Sequence, residues 1–160
     1  DPQNPIRKLF TGATKTTIEC AKCRNKTVTK EPFCCISLEV DDQVGLDEAL
    51  EIFTQDELLR GDDKYFCNTC NRKCIAHKRL TLSEIPPVLI LHLKRFAVQF
   101  HAAHHKQGTM QKLPYHVEFP PVLDFKNLKN LIYAEDQQTA LIDSQYELYA
   151  VLVHSGPQLG

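Results

Sequence analysis

Residues 34–53 read Cys34-Cys35-Ile36-Ser37-Leu38-Glu39-Val40-Asp41-Asp42-Gln43-Val44-Gly45-Leu46-Asp47-Glu48-Ala49-Leu50-Glu51-Ile52-Phe53. The apolar period changes inside this one stretch. Cys34, Ile36, Leu38 and Val40 face one way while Cys35, Ser37 and Glu39 face the other, which is the alternation of a half-buried strand. Leu46, Ala49, Leu50 and Phe53 then fall at i, i+3, i+4 and i+7, the stripe of an amphipathic helix. Asp47 and Glu48 occupy the first turn of that helix, where its dipole favours negative charge. A strand handing over to a short helix points to an α+β chain.

Working outward, a CxxC pair lies on either side: Cys20-Ala21-Lys22-Cys23 upstream and Cys67-Asn68-Thr69-Cys70 downstream. Ile18-Glu19-Cys20 reads as the end of a short strand feeding a tight knuckle. Residues 1–17 are polar, with a turn at Phe10-Thr11-Gly12. Thr54-Gln55-Asp56-Glu57 has capping-box spacing and predicts a further turn of helix, stopped by Gly61. Residues 74–82 read as a strand with mixed faces, broken at Pro86-Pro87. Val88 to Phe96 is nearly continuous in apolar residues at first, as in a central strand covered on both sides. Residues 97–111, polar and rich in His and Gln, predict a mobile surface loop. Val117 to Phe125 is extended. Leu128, Leu131 and Ile132 make a weak helical stripe within 126–144, and Tyr146 to Val153 reads as a second buried strand, lacking a neighbour in the sequence that follows. Strands, a short helix, then strands give an antiparallel α+β fold.

The chain has 160 residues with 42% apolar and 24% charged side chains, an ordinary globular composition that rules out a disordered tail. The apolar run from Ile85 to Leu93 holds two prolines and a histidine, and is too short to cross a bilayer, so no membrane partner is expected. Nineteen Lys and Arg against twenty Asp and Glu leave a net charge of -1, which argues against a nucleic-acid binder. A start at Asp1 without a signal peptide reads as a cut or processed end.

Seven cysteines are an odd number, unlike a secreted disulfide framework. Two CxxC pairs instead suggest a reducing compartment and a metal. Each CxxC puts two thiolates on one turn of backbone, and two such pairs complete the tetrahedral sulfur shell of Zn2+. Cys20, Cys23, Cys67 and Cys70 are therefore the expected ligands, with no position open for water and hence a structural site. The 43 residues between Cys23 and Cys67 exceed a compact ribbon's spacing, which the strand and helix of 34–53 explain as an insertion. Cys74 is an alternative to Cys70, and buried free thiols are the bland reading of the set.

The remaining reactive residues carry less. Cys34 is expected in the core, and neither it nor Cys35 has a setting that lowers a thiol pKa. His101, His104 and His105 lie close together, but no acid or thiol lies near them in sequence. His92 reads as a core histidine, Lys94-Arg95 as a solvated edge, and His154 as a strand-end histidine.

Taken together, these motifs resemble the ubiquitin-specific proteases, papain-like cysteine proteases. The resemblance rests on Lys78-Arg79-Leu80 with Pro86 to Phe96, on Val117-Glu118-Phe119-Pro120 with Leu123-Asp124-Phe125, and on Tyr146 to Gly156. Phe10-Thr11-Gly12, Ile18 to Cys23, Ile36-Ser37-Leu38 and Gly61 to Cys70 add to it, in the family's order. It covers the chain from near Leu9 to Gly160, with 126–144 matching least.

That resemblance implies part of a fingers, palm and thumb fold: zinc-ribbon fingers over 1–82 and antiparallel palm strands over 83–160, both within one catalytic domain. It implies a thiol-dependent hydrolase that cuts the bond after the C-terminal glycine of ubiquitin, with zinc on Cys20, Cys23, Cys67 and Cys70. Residues 97–112 and 155–160 would correspond to loops flanking the groove for ubiquitin's tail. The family's nucleophile box precedes anything here, and its catalytic Gly-His-Tyr follows a VLVHSG-type strand. No catalytic residue is therefore carried over, His154 included, and this segment alone is expected to be inactive. The alternative is a non-catalytic zinc-containing module that binds ubiquitin; a zinc-ribbon nucleic-acid binder is disfavoured by charge. Ubiquitin or a ubiquitinated protein is the implied partner, and cytoplasm or nucleus the implied compartment.

Overall fold

The computed structural model describes residues 4–42, 44–100, 108–128 and 145–156. A one-turn helix, α1 (Pro5–Phe10), opens it, with the Asn4 side chain accepting from the Ile6 amide and proline in the first turn. Next comes β1 (Gly12–Cys20), rich in Thr and longer than its Ile18–Cys20 signal suggested, then β2 (Lys26–Phe33). β2 is exposed on nearly every residue, so it has no apolar period by which to find it. Its antiparallel register with β1, from Gly12 opposite Phe33 to Glu19 opposite Lys26, holds it. Lys26, Lys30 and Pro32 on this edge strand discourage further pairing.

The quoted stretch behaves as read in its centre. β3 (Ile36–Glu39) buries Ile36 and Leu38, and α2 (Leu46–Phe53) buries Ala49 and Leu50. Cys34 is a correction: it precedes the strand and is exposed, as is Cys35. The residues after α2 are a second correction. Thr54 closes the helix instead of opening one, because its buried hydroxyl donates back to the carbonyl oxygens of Leu50 and Glu51. The chain then extends as β4 (Glu57–Leu59), and Gly61–Asp63 forms only a 3-10 turn.

A short hairpin, β5 (Tyr65–Cys67) with β6 (Arg72–Cys74), leads into β7 (Ala76–Glu84). The main sheet runs β2-β1-β7-β4, all antiparallel. β7 is followed by Pro86-Pro87, and the next strand, β8 (Leu91–Lys94), starts only at Leu91. β8 pairs with β3 in parallel, the one departure from the antiparallel expectation among the described residues. Leu91 and Leu93 are half-buried while His92 and Lys94 are exposed, so this strand is covered on one face and not on both.

The expected surface loop at 97–111 is instead a hairpin over its described part. β9 (Phe96–Phe100) pairs antiparallel with β10 (Gly108–Lys112), and Val98, Met110 and Gln111 on the pair are exposed. β11 (Val122–Asp124) pairs with β12 (Gln145–Glu147). The buried strand expected over Tyr146–Val153 stops at Glu147, and Tyr149, Val151, Leu152 and Val153 are exposed. Among the described residues no strand lies against them. The helical stripe at 126–144 falls largely outside the described residues, as do His101, His104 and His105; Leu128 is buried.

Two cores result. Ile36, Leu38, Ala49, Leu50, Leu82, Leu123, Phe125 and Leu128 form the larger one, which ties β3 and α2 to β7 and β11. Cys20, Cys67 and Cys74 form the smaller one, with Cys23, Cys70 and Tyr65 against them and no aliphatic side chain. No helix among the described residues is long and apolar enough to cross a membrane.

Candidate metal centre

The smaller core is built from two turns of the same design. Cys20 ends β1; its amide donates to the Asn25 carbonyl at 3.0 Å, and its carbonyl accepts from the Arg24 amide at 2.9 Å. Arg24 takes a left-handed φ of 62° to close the turn. Cys67 ends β5, opposite Arg72 of β6, and Asn71 takes φ 50° just after Cys70. In both, a residue with positive φ follows the second cysteine and turns the chain back on itself. Asparagine tolerates that conformation, so the second turn could be suspected from sequence. Arginine gives no such signal, and its side chain is held by Glu19 at 2.9 Å. That guanidinium, with Lys26 nearby, draws the Glu19 carboxyl below its ordinary pKa.

The fold brings the two turns together. Cys20 lies opposite Ala76 in the β1–β7 register, and the Ala21 amide donates to the Ile75 carbonyl at 3.0 Å. β6 leads directly into β7, so the β5–β6 hairpin is delivered to the first knuckle. The ligand atoms of Cys20, Cys23, Cys67 and Cys70 all lie within 4.8 Å of one another, with Cys23 Sγ and Cys67 Sγ 3.5 Å apart. A tetrahedral sulfur shell with metal–sulfur bonds of about 2.3 Å has edges of about 3.8 Å, so these four thiols fit one ion. All seven cysteines are free thiols.

The thiol chemistry agrees with that fit. Amide donors from Cys23 and, more weakly, Lys22 aim at Cys20 Sγ and hold its pKa at about 6, against the cost of burial. Those donors were not legible in the sequence, since any residue supplies an amide. The Cys70 thiol is pushed the other way, by Cys23 beside it and by burial. At Cys23 the Asn25 amide favours the thiolate, but burial and the neighbouring Cys67 and Cys20 outweigh it. Four thiols this close cannot all ionise alone; a dication removes that conflict and displaces their protons.

The structure therefore gathers the four cysteines singled out by spacing. Cys74 stays outside the cluster of four: it sits past the turn on β6, opposite Tyr65, buried behind the cage. His92 is exposed and not a core histidine, with Nδ1 3.4 Å from Ser37 Oγ. Lys94 pairs with Glu39 across the parallel strands, and Arg95 donates to the Tyr115 carbonyl at 2.6 Å. His154 is exposed; its ring meets Phe96 edge-on at 5.2 Å, and its carbonyl accepts from Lys112 Nζ at 2.8 Å.

Comparison with known proteins gives a consistent picture. The family described as ubiquitin carboxyl-terminal hydrolase matches residues 1–160. Ubiquitin carboxyl-terminal hydrolase 4 of Arabidopsis thaliana is 31% identical over 157 residues, covering 97% of this chain and 39% of that protein. Ubiquitin carboxyl-terminal hydrolase 17 of Homo sapiens is 34% identical over 151 residues, covering 94% of this chain and 26% of that protein. Among solved structures, an Ubp8 variant in the SAGA DUB module superposes with a TM-score of 0.76 at 32% identity, over 95% of this chain and 32% of that one. The SAGA Ubp8/Sgf11/Sus1/Sgf73 DUB module bound to ubiquitin aldehyde gives 0.65 at 35% identity, over 77% of this chain and 26% of that one. The chain thus spans between 26% and 39% of the length of these four proteins.

Proposed function

The chain belongs to the ubiquitin carboxyl-terminal hydrolase family, and from that premise we propose that it forms the fingers and part of the palm of a thiol-dependent deubiquitinase. The protein carrying it hydrolyses the bond after the C-terminal glycine of ubiquitin. The observation that carries this reading is the family match over the whole of residues 1–160. The neighbour bound to ubiquitin aldehyde supports ubiquitin as the partner, since an aldehyde at that terminus is a trap for a nucleophile at that bond.

The fingers are assigned to 1–82 and the palm to 83–160, joined into one body by the β3–β8 pair and the larger core. Cys20, Cys23, Cys67 and Cys70 hold Zn2+, which pins the β1–β2 turn to the β5–β6 hairpin and takes no part in the chemistry. Nucleophile and general base are assigned to parts of the protein outside this chain. A free-thiol protein of this kind works in cytoplasm or nucleus.

The test is hydrolysis of a fluorogenic amide of ubiquitin's C-terminus by the full-length protein. Release of the fluorophore, abolished by thiol alkylation, is the expected result. A folded, zinc-loaded protein that binds ubiquitin but releases nothing would overturn the hydrolase reading in favour of a binding module.

A further inference from the structure

On the outer side of the metal cage lies a shallow groove of about 460 Å³, lined by Ala21, Lys22, Lys64, Arg72, Lys73, Cys74 and Ile75. Four of its seven lining residues are cations and none is a carboxylate. They come from three places: the first knuckle, the residue before β5, and β6. Arg24, Lys26, Lys78, Arg79 and Lys94 are all engaged with carboxylates, but among the described residues no ion pair involves Lys22, Lys64, Arg72 or Lys73. The nearest acids in sequence, Asp62 and Asp63, lie in the preceding 3-10 turn and do not line the groove. In a chain of net charge -1, this is a concentrated positive site. Its floor is apolar: Ala21, Cys74 and Ile75, the last 43% exposed.

We propose that this groove docks an acidic peptide segment of a partner protein, its carboxylates on Lys22, Lys64, Arg72 and Lys73 and an apolar side chain on Ile75. The Arg72 guanidinium can grip one carboxylate with two parallel hydrogen bonds, and the lysines act as point charges along the segment. Unpaired cations on a scaffold fixed by the cage are already arranged for their ligand, so little is lost in ordering them. No aromatic side chain lines the groove for base stacking, and an apolar floor suits a peptide side chain better than a phosphate chain. This surface lies beyond the hydrolase reading and does not depend on it.

The test uses the zinc-loaded full-length protein and a fluorescent peptide of Glu-Glu-Leu repeats, read by anisotropy. Saturable binding in the micromolar range is expected, weakening severalfold as salt rises from about 50 to about 200 mM. Arg72→Glu with Lys73→Glu should weaken it by about tenfold or more. These are better sites for reversal than Lys22, whose amide supports Cys20. Zinc content at one per chain shows that the cage survives, and Lys30→Glu on exposed β2 should leave binding unchanged. No binding, or equal binding by the reversed variant, would overturn the proposal. Tighter binding of a single-stranded oligonucleotide would assign the groove to nucleic acid instead, and displacement of the peptide by free ubiquitin would assign it to the substrate. Ubiquitin hydrolysis is read separately, so failure of one reading leaves the other standing.

Discussion

Changing Cys20 and Cys67 together to Ser removes one ligand from each knuckle, both fully buried, and leaves two thiols that cannot hold the ion in a closed shell. An ion that binds only the folded chain stabilises it by RT ln(1 + [Zn]/Kd), about 4 kcal/mol when free zinc stands a thousandfold above Kd. For a chain of 160 residues, where each kcal/mol shifts the melting temperature by about 2–4 °C, the wild type should melt about 8–16 °C higher with zinc than with a chelator. The double variant should melt at one temperature in both conditions and carry no zinc by elemental analysis, against one zinc per wild-type chain. Cys74→Ala is the informative control. Cys74 is as buried as a ligand but lies outside the cluster of four, so that variant should keep its zinc and most of its zinc-dependent shift. A wild-type protein that is metal-free yet folded and unmoved by chelator would refute the cage, and zinc loss in Cys74→Ala would refute its membership.

Leu50 is fully buried in the larger core while Ile52, on the same helix, is about half exposed. Leu50→Ala should cost about 3–5 kcal/mol and Ile52→Ala under about 1 kcal/mol by urea unfolding; equal midpoints would show that α2 does not pack as described. A Cβ on Gly12 would sit 2.5 Å from Phe33 Cζ and 2.6 Å from the Glu84 carbonyl oxygen. Gly12→Ala should therefore cost about 1–3 kcal/mol, and Phe33→Ala should not rescue it, because the carbonyl belongs to the backbone of β7. The Arg79 guanidinium grips Asp56 and holds its carboxyl below the ordinary range. A depressed carboxyl adds stability above its unfolded pKa of about 4 that disappears as pH falls through the folded value. Both side chains are well exposed, so Asp56→Asn should cost under about 1 kcal/mol at neutral pH, with the curves converging in acid.

What could be read from sequence follows from which forces are local. The helix at 46–53 needs only its own stripe, and its bounds match; the following capping-box pattern failed because Thr54 had a better use for its hydroxyl, closing the turn it ended. The strand at 26–33 has no apolar period because both its faces meet water, and the polar composition of 97–111 gives no sign of the β9–β10 pairing. In each, the ladder to a neighbour makes the strand, and a ladder leaves no trace in composition.

The four-cysteine cluster was legible for a different reason. A CxxC brings its two thiols together within one turn, so half of the cage is local and only the meeting of the halves needs the fold. That meeting rests on the β1–β7 register and on the hairpin running straight into β7, neither of which periodicity could supply. Cys74 shows how the local rule also excludes: it belongs to neither CxxC, and although buried it stays outside the cluster of four. The opposite case is Tyr149 to Val153. Its apolar residues predicted a buried strand, yet they lie exposed with no strand beside them among the described residues. Hydrophobicity reports which residues gain from cover, at about 25 cal/mol per Å² of apolar surface removed from water, and is silent about what provides it. A spacing motif carries its partner with it, whereas an apolar period states a demand that other parts of the structure must meet.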